Sequence, residues 1–144
     1  MSDGFCARWA PYQLSILRIM SSLLFIAHGT QKLFNFPMRP MVDGVTPPPF
    51  ELFSLIGAAG VLEFAGGALL LIGLFTRQVA FLLSGMMAVA YFIAHHPRTF
   101  YPVNNGGDAA ILFCFVFLLL FFTGGGPLSV DSIFARRRAE AAAG

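Results

Sequence analysis

Four apolar stretches, Leu14–Phe34, Leu52–Phe75, Gln78–His95 and Ala109–Thr123, occupy most of the 144 residues of the chain. About 20 mostly apolar residues carry a helix across the roughly 30 Å of hydrocarbon in a bilayer, so each stretch predicts a transmembrane helix. The last two are short and are expected to stand nearly upright, or to sit where the bilayer thins. The joints between the stretches are too brief to hold a second domain and contain no repeat. Residues 1–144 therefore predict one all-α domain, an integral membrane four-helix bundle. Arg8 is the one basic residue ahead of the first run, which continues past signal-peptide length with no small-residue cleavage site. The first segment is expected to remain as an anchor.

The polar positions inside these runs are few: Arg18, His28 and Lys32 in the first, Glu63 in the second, His95 at the end of the third. A charge in hydrocarbon costs about 3 kcal/mol or more on insertion scales, so such groups are expected to face a partner or a cavity. On the first helix, Arg18, Ser21, Ser22, Phe25, His28, Gly29 and Lys32 recur at three- and four-residue steps and form one stripe. Glu63 lies near the bilayer centre with Ala59, Gly60, Gly66 and Gly67 on its face, and those small residues let a neighbouring helix come close. Helical side chains lean toward their helix N-terminus, so Glu63 and His28, on oppositely running helices, tend to close the gap in depth between them. Arg18 leans the other way, which leaves it either an interfacial anchor or an ion-pair partner of Glu63.

Between the first two helices, Phe34–Pro49 contains Pro37, Pro40 and Pro47-Pro48-Pro49, a stiff segment able to lie over the bundle mouth as a lid. Glu51 is expected in the first turn of the second helix, where a carboxylate suits the helix dipole. Ser84, Gly85, Ala88, Tyr91 and His95 form a stripe on the third helix, and Asp108 is placed as the N-cap of the fourth. Gly124-Gly125-Gly126-Pro127 stops that helix. Ser129–Phe134 then predicts a short C-terminal interfacial helix, with Arg136–Arg138 beside anionic lipid.

Composition agrees with a membrane protein: 57% of residues are hydrophobic and 17 are Phe, with a mean hydropathy of +0.75. Soluble domains are nearer about 45–50% apolar. Cys6 and Cys114 form no Cys-x-x-Cys pair, which disfavours a dithiol relay. The net charge of +2 says less than its distribution. Arg8, Arg77 and Arg136–Arg138 fall on one side against Arg39 and Arg98 on the other, so both termini are expected in the cytoplasm of a bacterial inner-membrane, multi-pass protein. One arginine triplet is far short of a nucleic-acid-binding face.

The ordered set Arg18, His28-Gly29, Lys32-Leu33-Phe34, Glu63 with Gly66-Gly67, Gly73-Leu74-Phe75-Thr76-Arg77, His95 and Asn104-Asn105-Gly106-Gly107-Asp108 resembles the DoxX family of bacterial four-helix membrane proteins. The resemblance covers roughly Leu14 to Phe134. It departs at Asp108, where many members look to carry Glu, which keeps the charge and shortens its reach. The family takes its name from a subunit associated with a thiosulfate:quinone oxidoreductase, and relatives look like membrane partners of redox, sulfur-handling or oxidative-stress enzymes. The resemblance thus implies an inner-membrane subunit or partner of a redox system.

In that setting His28, Lys32, Glu63, His95 and Asp108 are expected to converge on one outward-facing polar pocket walled by Phe25, Phe64, Tyr91 and Phe92. Such a pocket suits a quinone: aromatic walls hold the ring, a His or Lys donates to a carbonyl, and a carboxylate supplies protons. Glu63 is the expected proton carrier, with His28 and Lys32 as donors that orient the ligand. His95 and Asp108 form the rim, and Tyr91, Asn104 and Arg18 complete the candidate ligand contacts. The plainer alternative is a polar network that pins the helices in register, with His28 and Glu63 satisfying each other. Haem between His28 and His95 or His96 meets a poor match in depth, and no metal is expected. A second role is that of a non-catalytic scaffold that docks a soluble oxidoreductase through the arginine tail or the proline loop. Besides the lipid bilayer, a partner oxidoreductase and a homo-oligomer are the assemblies open to the chain.

Overall fold

In the computed structural model, which describes residues 3–144, the helix ends depart from the ends of the apolar stretches. The first helix, α1, spans Asp3–Phe34 with Pro11 inside it, so it begins eleven residues before the apolar run. At 1.5 Å per residue it is about 48 Å long, more than a bilayer core needs. Its first turns carry Phe5, Trp9 and Tyr12 along one face, with ring centroids 6.3 and 5.7 Å apart. Aromatic side chains of this kind favour the membrane interface.

The second helix, α2, spans Leu55–Ile72. Ser54 caps it by accepting from Gly57 N at 3.0 Å, so Glu51 lies in the turn before the helix and not in its first turn. Gly73, at φ 71°, ends it in the left-handed conformation that glycine adopts without strain. α3 spans Thr76–Ala90 and runs on through one π-helical turn, Tyr91–His95. A short α4, Pro102–Asn105, leads into α5, Asp108–Thr123. Gly107 occupies the N-cap position of α5, so Asp108 sits inside the first turn, where it meets the dipole without capping it. The C-terminal helix, α6, covers Val130–Ala143, longer than the hexapeptide the apolar positions mark, because Ser129 caps it and an alanine-rich tail extends it.

Among the described residues, α1, α2 and α3 with its π turn are long and apolar enough to cross a membrane, and α5 is a shorter apolar helix. The bundle is all-α. Large apolar side chains such as Leu24, Phe81, Leu112 and Phe115 point outward, as the lipid-facing surface of a spanning helix requires. α1 packs chiefly on α2, and α3 on α5, with a narrower joint between the two pairs. At the α1–α2 crossing, a Cβ on Gly29 would come within 2.6 Å of Phe64 N, and one on Gly60 would meet the Lys32 side chain at 3.0 Å. Farther along α2, Gly66 touches Leu83 of α3. Phe25, Leu70, Ala80, Leu83, Phe117 and Leu120 fill the centre.

The end holding the chain termini is tied by ionic caps. Fully buried Arg18 donates through Nε to Gly125 O at 2.9 Å, through Nη1 to Leu70 O and to Leu71 O at 2.5 Å, and through Nη2 to Leu128 O at 2.5 Å. Arg77 donates to Phe121 O and Phe122 O at 2.8 and 2.6 Å, closing the C-terminus of α5. The Asp131 carboxylate accepts from Phe75 N and Thr76 N at 2.9 and 2.8 Å. A residue of α6 therefore caps α3, in keeping with the positive end of that helix.

Candidate functional site

The opposite end, beneath the proline loop, contains a cavity of about 460 Å³ between the α1–α2 and α3–α5 pairs. Four of the sequence-predicted residues line it: His28, Lys32, Glu63 and His95. Its walls are Phe25, Phe50, Met86, Met87, Ile93 and Phe113, with smaller residues between them.

Glu63 is 4% exposed, and its two oxygens accept from Lys32 Nζ at 2.5 Å each. The direction of the side chains explains the pair. Lys32 is one turn beyond the Gly29–Gly60 crossing on α1 and Glu63 one turn beyond it on α2, and each leans back toward its own N-terminus, so the heads meet. The sequence expectation placed His28 beside Glu63; the ammonium of Lys32 fills that position instead. His28 sets its ring edge-on to Phe113 with centroids 6.0 Å apart, and makes no hydrogen bond among the described residues.

His95 is held by the π turn and by its Nδ1 at 3.1 Å from Asn105 O. A carbonyl oxygen only accepts, so Nδ1 carries the hydrogen and Nε2 of the neutral ring is left as an acceptor. Tyr91 lies outside the lining and stacks on the His95 ring at 6.4 Å. Its hydroxyl donates to Phe100 O at 3.4 Å. Gly107 has no room for a Cβ against Tyr91, which would lie 2.6 Å away.

The other predicted contacts fall elsewhere. Asn104 is exposed, whereas Asn105 is buried; its amide nitrogen donates to Thr99 O at 2.8 Å and its Oδ1 accepts from Gly107 N at 2.7 Å. Asp108 is exposed and outside the lining, although its neighbour Ala109 takes part. Phe64 packs edge-on against Phe34, and Phe92 is exposed, so neither forms a wall. Arg18 lies about 21 Å from Lys32 along α1. It neither anchors at the interface nor pairs with Glu63, because main-chain carbonyls surround it.

Five wall residues carried no sequence signal that singled them out: Phe50, Met86, Met87, Ile93 and Phe113. Phe50 follows the proline run and is pinned over the cavity from two sides. Its N–H donates to Lys32 O at 3.0 Å, and the Arg39 guanidinium sits 4.2 Å from its ring centroid. The net formal charge of the lining is zero, because the Lys32 and Glu63 charges cancel. Among the described residues, no three His, Cys, Asp or Glu side chains come together as metal ligands do.

The DoxX family model matches residues 13–96, from the start of the apolar run on α1 to just past the π turn. The chain belongs to the DoxX family. Within that span lie His28, Lys32, Glu63 and His95, the four predicted residues that meet at the cavity. An uncharacterised protein of Haemophilus influenzae is 40% identical over 134 residues, covering 90% of this chain and 96% of the relative. The inner membrane protein YqjF of Escherichia coli K12 is 27% identical over 131 residues, covering 85% and 92%. No solved structure matches the chain.

Proposed function

We propose that this chain is an inner-membrane subunit or partner of a redox system that binds a quinone-like molecule in the cavity. The observation that carries the reading is the joining of apolar walls to the Lys32–Glu63 pair and two histidines in one space of about 460 Å³. That is within the about 300–1,000 Å³ of ordinary ligand sites, which pair apolar walls with a few placed polar groups. Phe113 and Phe50 contribute aromatic rings to the lining. Among the described residues the His28 nitrogens have no hydrogen-bond partner, and His95 offers Nε2 to a hydroxyl. Lys32 donates to a ligand oxygen when it turns from Glu63, which leaves that carboxylate able to hold a proton. A bound quinone supplies a two-electron, two-proton acceptor, with the electrons drawn from a partner oxidoreductase.

Localisation and topology belong to the same proposal. The named Escherichia coli relative is an inner membrane protein, and Arg8, Arg77 and Arg136–Arg138 gather at the terminal end of the bundle, which favours that end in the cytoplasm. The cavity then opens from the periplasmic half. The exposed arginines of α6 suit anionic lipid or a cytoplasmic partner.

The test is to purify the protein in mild detergent and quantify quinone extracted from wild type, Glu63→Gln and His28→Ala, with a visible spectrum of each. Near-stoichiometric quinone in wild type, lost in both folded variants, is expected. A folded wild type that neither retains quinone nor takes it up on titration overturns the reading in favour of a docking scaffold.

A further inference from the structure

We infer that the cavity is loaded sideways from the bilayer, through a portal between α2 and α3, by a molecule whose apolar tail stays in the portal while its polar head reaches the Lys32–Glu63 pair. This deepens the quinone reading and rests on it. The large apolar residues that line the cavity and are also exposed on the outside are Leu55 at 71%, Ile56 at 43%, Val89 at 55% and Ile93 at 56%. The first two open α2 and the last two close α3 and its π turn, so together they form the two edges of one seam. That seam is tight near its far end, where Gly66 meets Leu83, and parts toward the proline loop with the cavity between its edges.

Two other routes, between α1 and α5 and from beneath the proline loop, are obstructed. Phe25, His28 and Phe113 bridge α1 and α5, with Phe113 ring centroids 5.2 Å from Phe25 and 6.0 Å from His28. From above, Phe50 is fixed by its bond to Lys32 O and by Arg39. An apolar rim on a lipid-facing seam offers no hydrogen bond to a water-borne solute and a low barrier to one dissolved in hydrocarbon. Glu63 lies about 12 Å deeper along α2 than Leu55, which sets the distance from rim to head-group site.

The test uses a ubiquinone analogue whose decyl tail ends in a diazirine, photolysed on the full-length protein in liposomes, with labelled peptides mapped by mass spectrometry. Labelling at Leu55–Ala59 and Val89–Ala94, competed by unlabelled quinone, is expected. Labelling confined to the proline loop, at Met38–Val45, overturns the portal while leaving the binding site standing. Labelling that excess quinone does not reduce overturns the binding reading itself. As a second measurement, Ile56→Trp with Val89→Trp is expected to slow association of the decyl quinone at least about tenfold more than that of its tail-free head group. Equal slowing of both ligands counts against sideways entry.

Discussion

Single residues divide into those that serve the cavity and those that hold the bundle. Lys32→Met leaves the Glu63 carboxylate without its cation in a place with little water, and the cost is expected at about 2–3 kcal/mol, below that of a fully buried pair because Lys32 is partly exposed. Adding Glu63→Gln to that variant is expected to restore most of the loss, which a double-mutant cycle from thermal melts in detergent measures. Arg18→Ala leaves the carbonyl oxygens of Leu71 and Leu128 without a donor and takes one of two donors from those of Leu70 and Gly125, which keep Gly73 N and the Ser15 hydroxyl. It is expected to cost about 3–5 kcal/mol by the same melts, and Arg18→Lys to recover little, since a single ammonium cannot span the fork. The polar cavity residues His28, Lys32, Glu63 and His95 were legible in the sequence because a charged or imidazole group in hydrocarbon is costly and therefore conspicuous. Arg18 was conspicuous for the same reason, yet its role was hidden, because its partners are main-chain oxygens and every residue has one. Asn104 and Asn105 show the limit at finer grain: adjacent identical side chains carry no mark of which one turns inward.

Elements show where small residues and caps decide the geometry. Gly29→Ala would place a methyl against the α2 backbone and part α1 from α2. It is expected to cost about 1–3 kcal/mol and to disturb the Lys32–Glu63 pair. Gly85→Ala on α3, with nothing within 4 Å of the added carbon, is expected to be neutral or stabilising by up to about 1 kcal/mol. Comparing the two melts separates close approach from helix propensity. Asp131→Ala removes the carboxylate that caps α3 from α6, and about 1–2 kcal/mol is expected to go with it. Hydrogen exchange should quicken at Phe75 and Thr76 before it changes in α2. Helix existence and order were readable from hydropathy, but the start of α1 was not, since hydropathy reports hydrocarbon and the helix runs on beyond it. The π turn had no sequence mark, although it sets the position of His95.

For the whole molecule, four apolar helices and an outward-facing greasy surface make a membrane bundle readable from composition alone. The pairing of α1 with α2 was less accessible, because it follows from glycine contacts at Gly29, Gly60 and Gly67 that become visible only once helices are placed. That of α3 with α5 rests on ordinary side-chain contacts such as Ser84 to Cys114 O and Phe81 on Phe121. Topology is testable with the exposed Cys6 near the N-terminus. In intact spheroplasts, an impermeant maleimide is expected to leave Cys6 unlabelled until the membrane is permeabilised, whereas Met41→Cys in the proline loop is expected to react at once. Reversal of that pattern would move the cavity to the cytoplasmic half.

The anchoring of α6 has a mechanical consequence. Asp131 grips the turn between α2 and α3 at three points, through its own N–H to Gly73 O at 3.0 Å and its carboxylate to Phe75 N and Thr76 N. That turn joins the ends of α2 and α3 opposite the portal, so it fixes how far apart the portal's two edges stand. A load applied to the C-terminal tail is therefore passed to the turn that sets the spacing of α2 and α3, whose other ends border the cavity.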